Sequence, residues 1–217
     1  MPESWNSTEK FNREAIEWDN KPERQLLARA VAQAIITAVK PDSRMNALEI
    51  GCGTGLVSME IAPLVNHLTA IDTSPEMLGV LNYKIRNTGT TNIETICLDL
   101  ASLSQNIEPD KKFDLIYCSI TLHHIDDTGT FIGSMAVHLT SGGVIAIADL
   151  YQEDGTFHDD PQEKVHHGFN RSYLDAVFQN NGLQVNSFET AYIIEKVNRE
   201  GLKAAYPVFL ACAGTNP

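Results

Sequence analysis

Residues 48–55, Leu-Glu-Ile-Gly-Cys-Gly-Thr-Gly, carry a short apolar run into a helical segment through three alternate glycines. A strand that ends in such a turn and leads into a helix puts the turn at its carboxyl end, where open α/β sheets receive ligands. Glycine there permits positive φ and removes the Cβ atoms that would hold a ligand off the backbone. The spacing is G-x-G-x-G. The dinucleotide fingerprint G-x-G-x-x-G/A needs Gly or Ala at position 56, where this chain has Leu56, so NAD is disfavoured.

The segments around this turn follow a rhythm. A helical stripe over 22–38 begins at Pro22 and is followed by Pro41. Strand-like runs at 47–50, 67–71, 93–98, 113–119 and 144–149 then alternate with helical segments over 56–64, from 75, over 128–139 and over 172–180. Ser74 and Pro75 read as an N-cap and a first helical residue, and Gly142-Gly143 as the stop of the 128–139 helix. Such alternation predicts a parallel sheet with helices on both faces. Two last β-rich runs, 184–195 and 206–213, are separated by too few residues for a parallel crossover and predict a hairpin. The expected fold is α/β: a Rossmann-like, doubly wound, seven-stranded sheet, mostly parallel, with a C-terminal antiparallel hairpin.

Charge narrows the partners. Lys and Arg number 16 against 28 Asp and Glu, a formal net charge of −12, and no basic cluster is longer than Lys111-Lys112. Nucleic acids and anionic membrane surfaces are therefore poor partners. The four cysteines, Cys52, Cys97, Cys118 and Cys212, are widely spaced without a CxxC pair, which suggests reduced core thiols rather than a zinc cluster or a disulfide framework. The first residues are acidic (Glu3, Glu9, Glu14) and no apolar run approaches the ~18 residues of a membrane span, so a cytoplasmic protein is expected.

Two acids sit at predicted strand ends. Asp72 closes Ala70-Ile71-Asp72, where a carboxylate can accept from both hydroxyls of a ribose. Asp99 closes Cys97-Leu98-Asp99, where an acceptor meets an adenine amino group. Glycine turn, Asp72 and Asp99 in that order describe a nucleoside site.

With these pieces in place, the chain resembles the class I S-adenosylmethionine-dependent methyltransferases, of the broad small-molecule group (methyltransferase types 11, 12 and 25) that includes quinone-biosynthesis enzymes. The matching segments are LEIGCGTG (48–55), AIDTSPEML (70–78), CLDL (97–100), FDLIYCSITLHHI (113–125), GGVIAIADL (142–150) and YPVFLACAG (206–214). The resemblance implies that Gly51, Gly53 and Gly55 let the turn approach the methionine part of the cofactor, with Glu49 beside it. It further implies that Asp72 holds the ribose hydroxyls, that Met77 lies against the adenine, that Leu98 and Asp99 face the adenine edge, and that Ser119 offers a backbone contact to the methionine amine. Phe11, Ala15, Trp18 and Asp19 resemble a cofactor-covering N-terminal segment. One domain over 1–217 follows, with a helical cap at 1–40 docked by Trp5, Phe11 and Trp18, a cofactor-binding core at 41–150, and a substrate-side segment with the closing hairpin at 151–217.

Methyl transfer from a sulfonium is an in-line displacement, so the protein mainly aligns the reactants and excludes water. A base is needed when the acceptor carries a proton, and histidine suits that role. His123, just after the fourth strand, is the candidate catalytic residue. His124 beside it, and His158, His166 and His167 in a stretch (151–170) that caps the substrate pocket, are further candidates. No metal is expected: the Asp-Asn pair of metal-dependent relatives is missing where Asp149 is followed by Leu150, and the acidic stretch reads as a solvated loop. The Asn/Asp-Pro-Pro-aromatic motif that grips a flipped base is replaced by Cys118-Ser119-Ile120-Thr121, which favours a small-molecule acceptor. The competing readings are a catalytically silent S-adenosylmethionine-binding or regulatory module and, less favoured, an NAD-dependent oxidoreductase. Oligomeric state is not legible.

Overall fold

The computed structural model describes residues 8–100 and 107–215. Its strands are β1 (Asn46–Ile50), β2 (His67–Asp72), β3 (Ile93–Cys97), β4 (Phe113–Ser119), β5 (Leu139–Leu150), β6 (Gln184–Val197) and β7 (Lys203–Gly214). They form one seven-stranded sheet in the order β3-β2-β1-β4-β5-β7-β6. β1 to β5 pair in parallel, and β7 runs antiparallel between β5 and β6. The chain thus winds outward from β1 in one direction, then crosses to β4 and winds in the other, as the alternation of the sequence predicts. The switch lies between β1 and β4, the place where such sheets open a crevice at their carboxyl edge.

Helices α1 (Thr8–Glu14), α2 (Pro22–Val39), α3 (Ser58–Ile61), α4 (Pro75–Thr88), α5 (Thr128–Ala136) and α6 (Arg171–Asn180) accompany the sheet, with a 3-10 turn at Ala15–Asn20. Successive residues of a strand face opposite sides, so β1 sends Ala47 to one core and Leu48 and Ile50 to the other. On the first side, Val31 and Ile35 of α2 pack on Leu68, Leu115 and Tyr117. On the second, Phe131 of α5 and Phe178 of α6 pack on Ile116, Ile147 and Phe209. Ser74 caps α4 by accepting from Met77 N at 3.1 Å, with Pro75 as the first helical residue.

Four expectations need correction. The helix expected over 56–64 is α-helical only at Ser58–Ile61 and tightens to a 3-10 turn at Ala62–Leu64, because Pro63 has no N–H for an i−4 bond. Gly142-Gly143 does not stop a helix: α5 ends at Ala136, and β5 runs through the pair. The glycines serve an irregularity, since pairing with β4 shifts from Phe113↔Leu139 to Leu115↔Val144 and a Cβ on Gly143 would meet the carbonyls of Thr140 and Phe113 at 3.0 and 3.1 Å. Cys97 is exposed, unlike Cys52, Cys118 and Cys212, because β3 is an edge strand with an open face. The closing hairpin is longer than expected, its link reduced to a tight turn in which Asn198 Oδ1 accepts from Glu200 N and Leu202 N. Trp5, expected to help dock the cap, lies outside the described residues.

Gly55 illustrates how the sheet and α4 are fitted together. It has φ +78°, and a Cβ there would lie 2.2 Å from Leu81 Cδ1 of α4. Gly55→Ala should therefore cost about 2–4 kcal/mol, the sum of a left-handed backbone penalty and overpacking, read as a lowered urea midpoint with an unchanged m-value.

Candidate active site

The carboxyl end of β1 delivers Glu49 and Ile50 to the glycine turn. Gly51 N and Cys52 N both donate to Ile71 O of β2, at 2.8 and 3.0 Å, so the turn is folded back over its neighbouring strand. The three glycines have separate reasons. At Gly51 a Cβ would collide with Thr121 Oγ1 at 2.3 Å, and at Gly55 with Leu81, whereas at Gly53 it would meet nothing within 4 Å. Gly53 alone of the three turns its missing side chain toward open space, with φ +53°. Gly51 and Gly53 line the large cavity described below, and Gly55 does not.

Asp72, at the end of β2, fastens this turn to the start of α4. Its Oδ2 accepts from Gly53 N at 2.7 Å and its Oδ1 from Ser74 N at 2.8 Å. Burial pushes its carboxyl above the usual aspartate range, against the opposing pull of these backbone N–H groups. Met77, in the first turn of α4, is buried and lines the cavity, as does Asp99. Leu98 does not: it packs against the core and lines, with Thr8, Thr73, Cys97 and Asp99, a smaller cavity of about 360 Å³. Ser119, the last residue of β4, lines the large cavity.

Beyond Ser119 the chain leaves the sheet sharply. Ile120 has φ +52°, a left-handed conformation that is strained for a β-branched residue, and its N–H is held by Ala148 O at 2.8 Å. The kink throws Thr121 and the short 3-10 turn Leu122–His124 across the carboxyl edge of the sheet. His123 is 1% exposed. Its backbone N–H donates to Asp149 Oδ2 at 3.1 Å, and its Nδ1 lies 2.8 Å from Asp149 Oδ1. Asp149, at the end of β5, thus holds both the backbone and the ring, and His123 Nε2 has no hydrogen-bond partner. Burial, with the neighbouring His123 and His158 rings, pushes His124 well below the usual histidine range.

Two further segments close the site. In the cap, Phe11 meets Trp18 and His124 edge-on, and Arg24 stacks on Trp18 at 3.4 Å while pairing with Glu14 at 2.8 Å. Ser74 Oγ donates to Asn12 Oδ1 at 2.6 Å, Thr54 Oγ1 to Asp19 Oδ1 at 2.6 Å, and Lys84 pairs with Asp19, so the cap is tied to the glycine turn and to α4. The loop between β5 and α6 folds over from the other side. Its Glu163 receives Lys10 Nζ of the cap on both oxygens, at 2.8 and 3.0 Å, and lies 3.1 Å from His158 Nδ1. The hydrogen bond with His158, then that with Lys10, hold the Glu163 carboxyl down at about 2 despite partial burial. His158 lines the cavity, whereas His166 and His167 do not: His166 N donates to His123 O at 2.8 Å, and the His167 ring packs on Gly155.

Together these residues wall one cavity of about 1170 Å³, running from Gly53 and Asp72 to His123 and His158. Glu49 is at its floor, receiving Ser58 Oγ and, at 3.0 Å, Tyr117 OH. Burial lifts its carboxyl to about 8. Among the described residues no group of three His, Cys, Asp or Glu is disposed to hold a metal ion, and no helix is long and apolar enough to cross a membrane.

Sequence reasoning missed Asp149 as the partner of His123, Glu163 as the link between loop and cap, and the bend at Ile120. An acid at the end of a predicted parallel strand, the criterion that singled out Asp72 and Asp99, applies equally to Asp149. Ile120 and Glu163 carry no local signal, since both act through contacts distant in sequence.

Comparison with known proteins gives a consistent picture. Residues 47–143 match the family model described as a methyltransferase domain. An uncharacterized methyltransferase of Schizosaccharomyces pombe is 33% identical over 58% of this chain and 48% of its own length. A malonyl-[acyl-carrier protein] O-methyltransferase of Bacillus anthracis is 25% identical over 79% of this chain and 60% of its own. The chain thus spans about half to three fifths of these curated relatives. Among solved structures, the DhpI–SAH complex shares the fold with a TM-score of 0.72 at 20% identity, covering 97% of this chain and 95% of that one.

The buried Glu49 sets a pH dependence. Its carboxyl is protonated in the folded protein up to about pH 8 but ionised in the unfolded chain above about 4.5, so the folded state binds the extra proton and stability falls as pH rises between these values. His124, whose shift is downward, contributes nothing above its ordinary pKa. The urea midpoint should therefore decline from pH 6.5 to 8, and Glu49→Gln should abolish that part of the decline.

Proposed function

We propose that the protein, whose residues 47–143 match the model of a methyltransferase domain, is a class I enzyme that transfers a methyl group from S-adenosylmethionine to a small-molecule acceptor, with His123 as general base. The observation that carries this reading is a single cavity that runs from the Gly53 turn and Asp72 to the His123–Asp149 pair. Its volume of about 1170 Å³ exceeds the ~300–1,000 Å³ usual for one ligand, which suits a cofactor and an acceptor together.

The residues fit the cofactor. The open space at Gly53 admits a ligand against the backbone. Asp72 and Asp99 supply acceptors for ribose and adenine, and Met77 an apolar, polarisable wall for the ring. Glu49 is the counter-charge for a cationic amine: an arriving cation draws the buried carboxyl into its anionic form. The cofactor supplies a methyl carbon already activated by a sulfonium. What remains for the protein is alignment, exclusion of water and removal of one proton. In the tautomer whose Nδ1–H donates to Asp149 Oδ1, His123 carries its lone pair on Nε2. That nitrogen takes the acceptor's proton as the acceptor's electron pair forms the bond to the methyl carbon, and the pair of the breaking carbon–sulfur bond stays with sulfur.

Calorimetric titration should show binding of S-adenosylmethionine and its demethylated product but not of NAD, and Asp72→Ala should weaken it by about 2–4 kcal/mol. Labelled methyl should pass to a component of a metabolite extract; binding without any transfer would establish the silent module instead. His123→Ala should lower kcat by about 10²–10⁴-fold with little change in cofactor affinity, and Asp149→Asn should lower kcat and displace the pH profile of turnover.

A further inference from the structure

Ile120, at which the chain leaves β4, holds a left-handed backbone, φ +52°, that glycine and asparagine adopt readily and a β-branched residue does not. Among the described residues only Lys40 shares it without being a glycine, and Lys40 caps the end of α2, where that conformation is usual. The kink itself does not require the Ile120 side chain. It is held by Ile120 N donating to Ala148 O at 2.8 Å and by Thr121 Oγ1 donating to Ser119 O at 3.1 Å, bonds that a glycine at position 120 would leave in place. A strained residue persists only where its surroundings hold it, and such residues gather at functional sites, so a side chain retained here points to a use. The surroundings show where that use lies. Ile120 is partly buried: it packs on the core beneath α2 and also lines the large cavity. Leu56, Phe157 and Ile194, from three other segments, do the same, and Ser119 and His123, on either side of Ile120 in the chain, line the cavity with it.

We propose that Ile120 determines specificity for the acceptor: with Leu56, Phe157 and Ile194 it forms an apolar wall against which the acceptor's carbon skeleton lies. This rests on the methyl-transfer reading and assigns a further residue of the same site. An in-line displacement tolerates little misplacement of its reactants, so a firm contact on the skeleton contributes to alignment. A β-branched side chain suits that work, because its χ1 is restricted and the wall keeps its shape. The strain follows from the same demand. Glycine would relieve the backbone and leave a gap in the wall. Asparagine would relieve it too, but would set against the skeleton an amide that finds no hydrogen-bond partner there.

The test measures two quantities for each variant: calorimetric affinity for S-adenosylhomocysteine, and transfer of labelled methyl to the metabolite-extract component that the wild type labels. Ile120→Gly and Ile120→Asn should each bind S-adenosylhomocysteine within about twofold of wild type, yet lower kcat/KM for transfer about tenfold to a hundredfold, the range that a contact in an apolar pocket supports. Ile120→Leu, which keeps the volume and the apolar surface, should recover most of that loss. A role in core packing alone would lower the urea midpoint of Ile120→Gly but leave transfer by the folded protein in place. Near-wild-type transfer by Ile120→Gly or Ile120→Asn, or transfer by Ile120→Leu as low as theirs, overturns the proposal while leaving methyl transfer standing. Loss of S-adenosylhomocysteine binding by both Ile120→Gly and Ile120→Asn also overturns it, since Ile120 then serves the cofactor or the fold; where one of them alone fails to bind, the other decides. Wild-type protein that binds S-adenosylhomocysteine and labels no component overturns the methyl-transfer reading and the proposal with it.

Discussion

Strand β1 is paired on both edges and covered on both faces, and that confinement determines where anything can bind. Its backbone groups are taken up by β2 and β4, and its side chains by the helices above and below. The chain can meet a ligand only where β1 leaves the sheet, between strands that diverge in connection order. Glycines serve this exit in three ways. Two clear a path for Thr121 and Leu81, and the third, Gly53, faces empty space. Asp72 then locks the exit by holding Gly53 N with one oxygen and Ser74 N with the other, so one buried carboxylate positions both the turn and the start of α4.

The same principle, a carboxylate at a strand tip organising the segment next to it, recurs across the sheet. Asp149 at the end of β5 holds the His123 backbone and ring, as Asp72 holds the glycine turn. The two acids stand on either side of the β1–β4 crevice, Asp72 beside the Gly53 turn and Asp149 behind His123. Covering the crevice falls to segments far apart in sequence: the cap, tied by Asn12 and Asp19, and the loop after β5, tied to the cap through Lys10 and Glu163. The cap and the loop are thus held over the crevice by polar ties as well as by the Phe11, Trp18 and His124 ring contacts.

Much of the fold was legible because its signals are local. The strand and helix alternation, the cap of α4 at Ser74-Pro75 and the closing hairpin all follow from residue spacing over a few positions. The misreadings arose where one local signal has two structural uses. Gly142-Gly143 looks like a helix stop but accommodates an irregular β4–β5 pairing, since the tight approach of Phe113 O is invisible along the chain. Gly55 belongs to the same triplet as Gly53, yet its purpose is set by Leu81 of a later helix. Leu98 stands next to Asp99 but packs inward, away from the large cavity.

By itself the sequence determined the sheet, the glycine turn at the end of its first strand, and the acids at neighbouring strand tips, because hydrophobic period and turn chemistry are written in adjacent residues. Tertiary structure alone decided which carboxylate serves which imidazole. Asp149 reaches His123 and Glu163 reaches His158 and Lys10 only after parallel pairing has aligned β4 with β5 and the cap has closed over the loop. Hydrogen bonds between groups tens of residues apart depend on that alignment, and no local pattern encodes it.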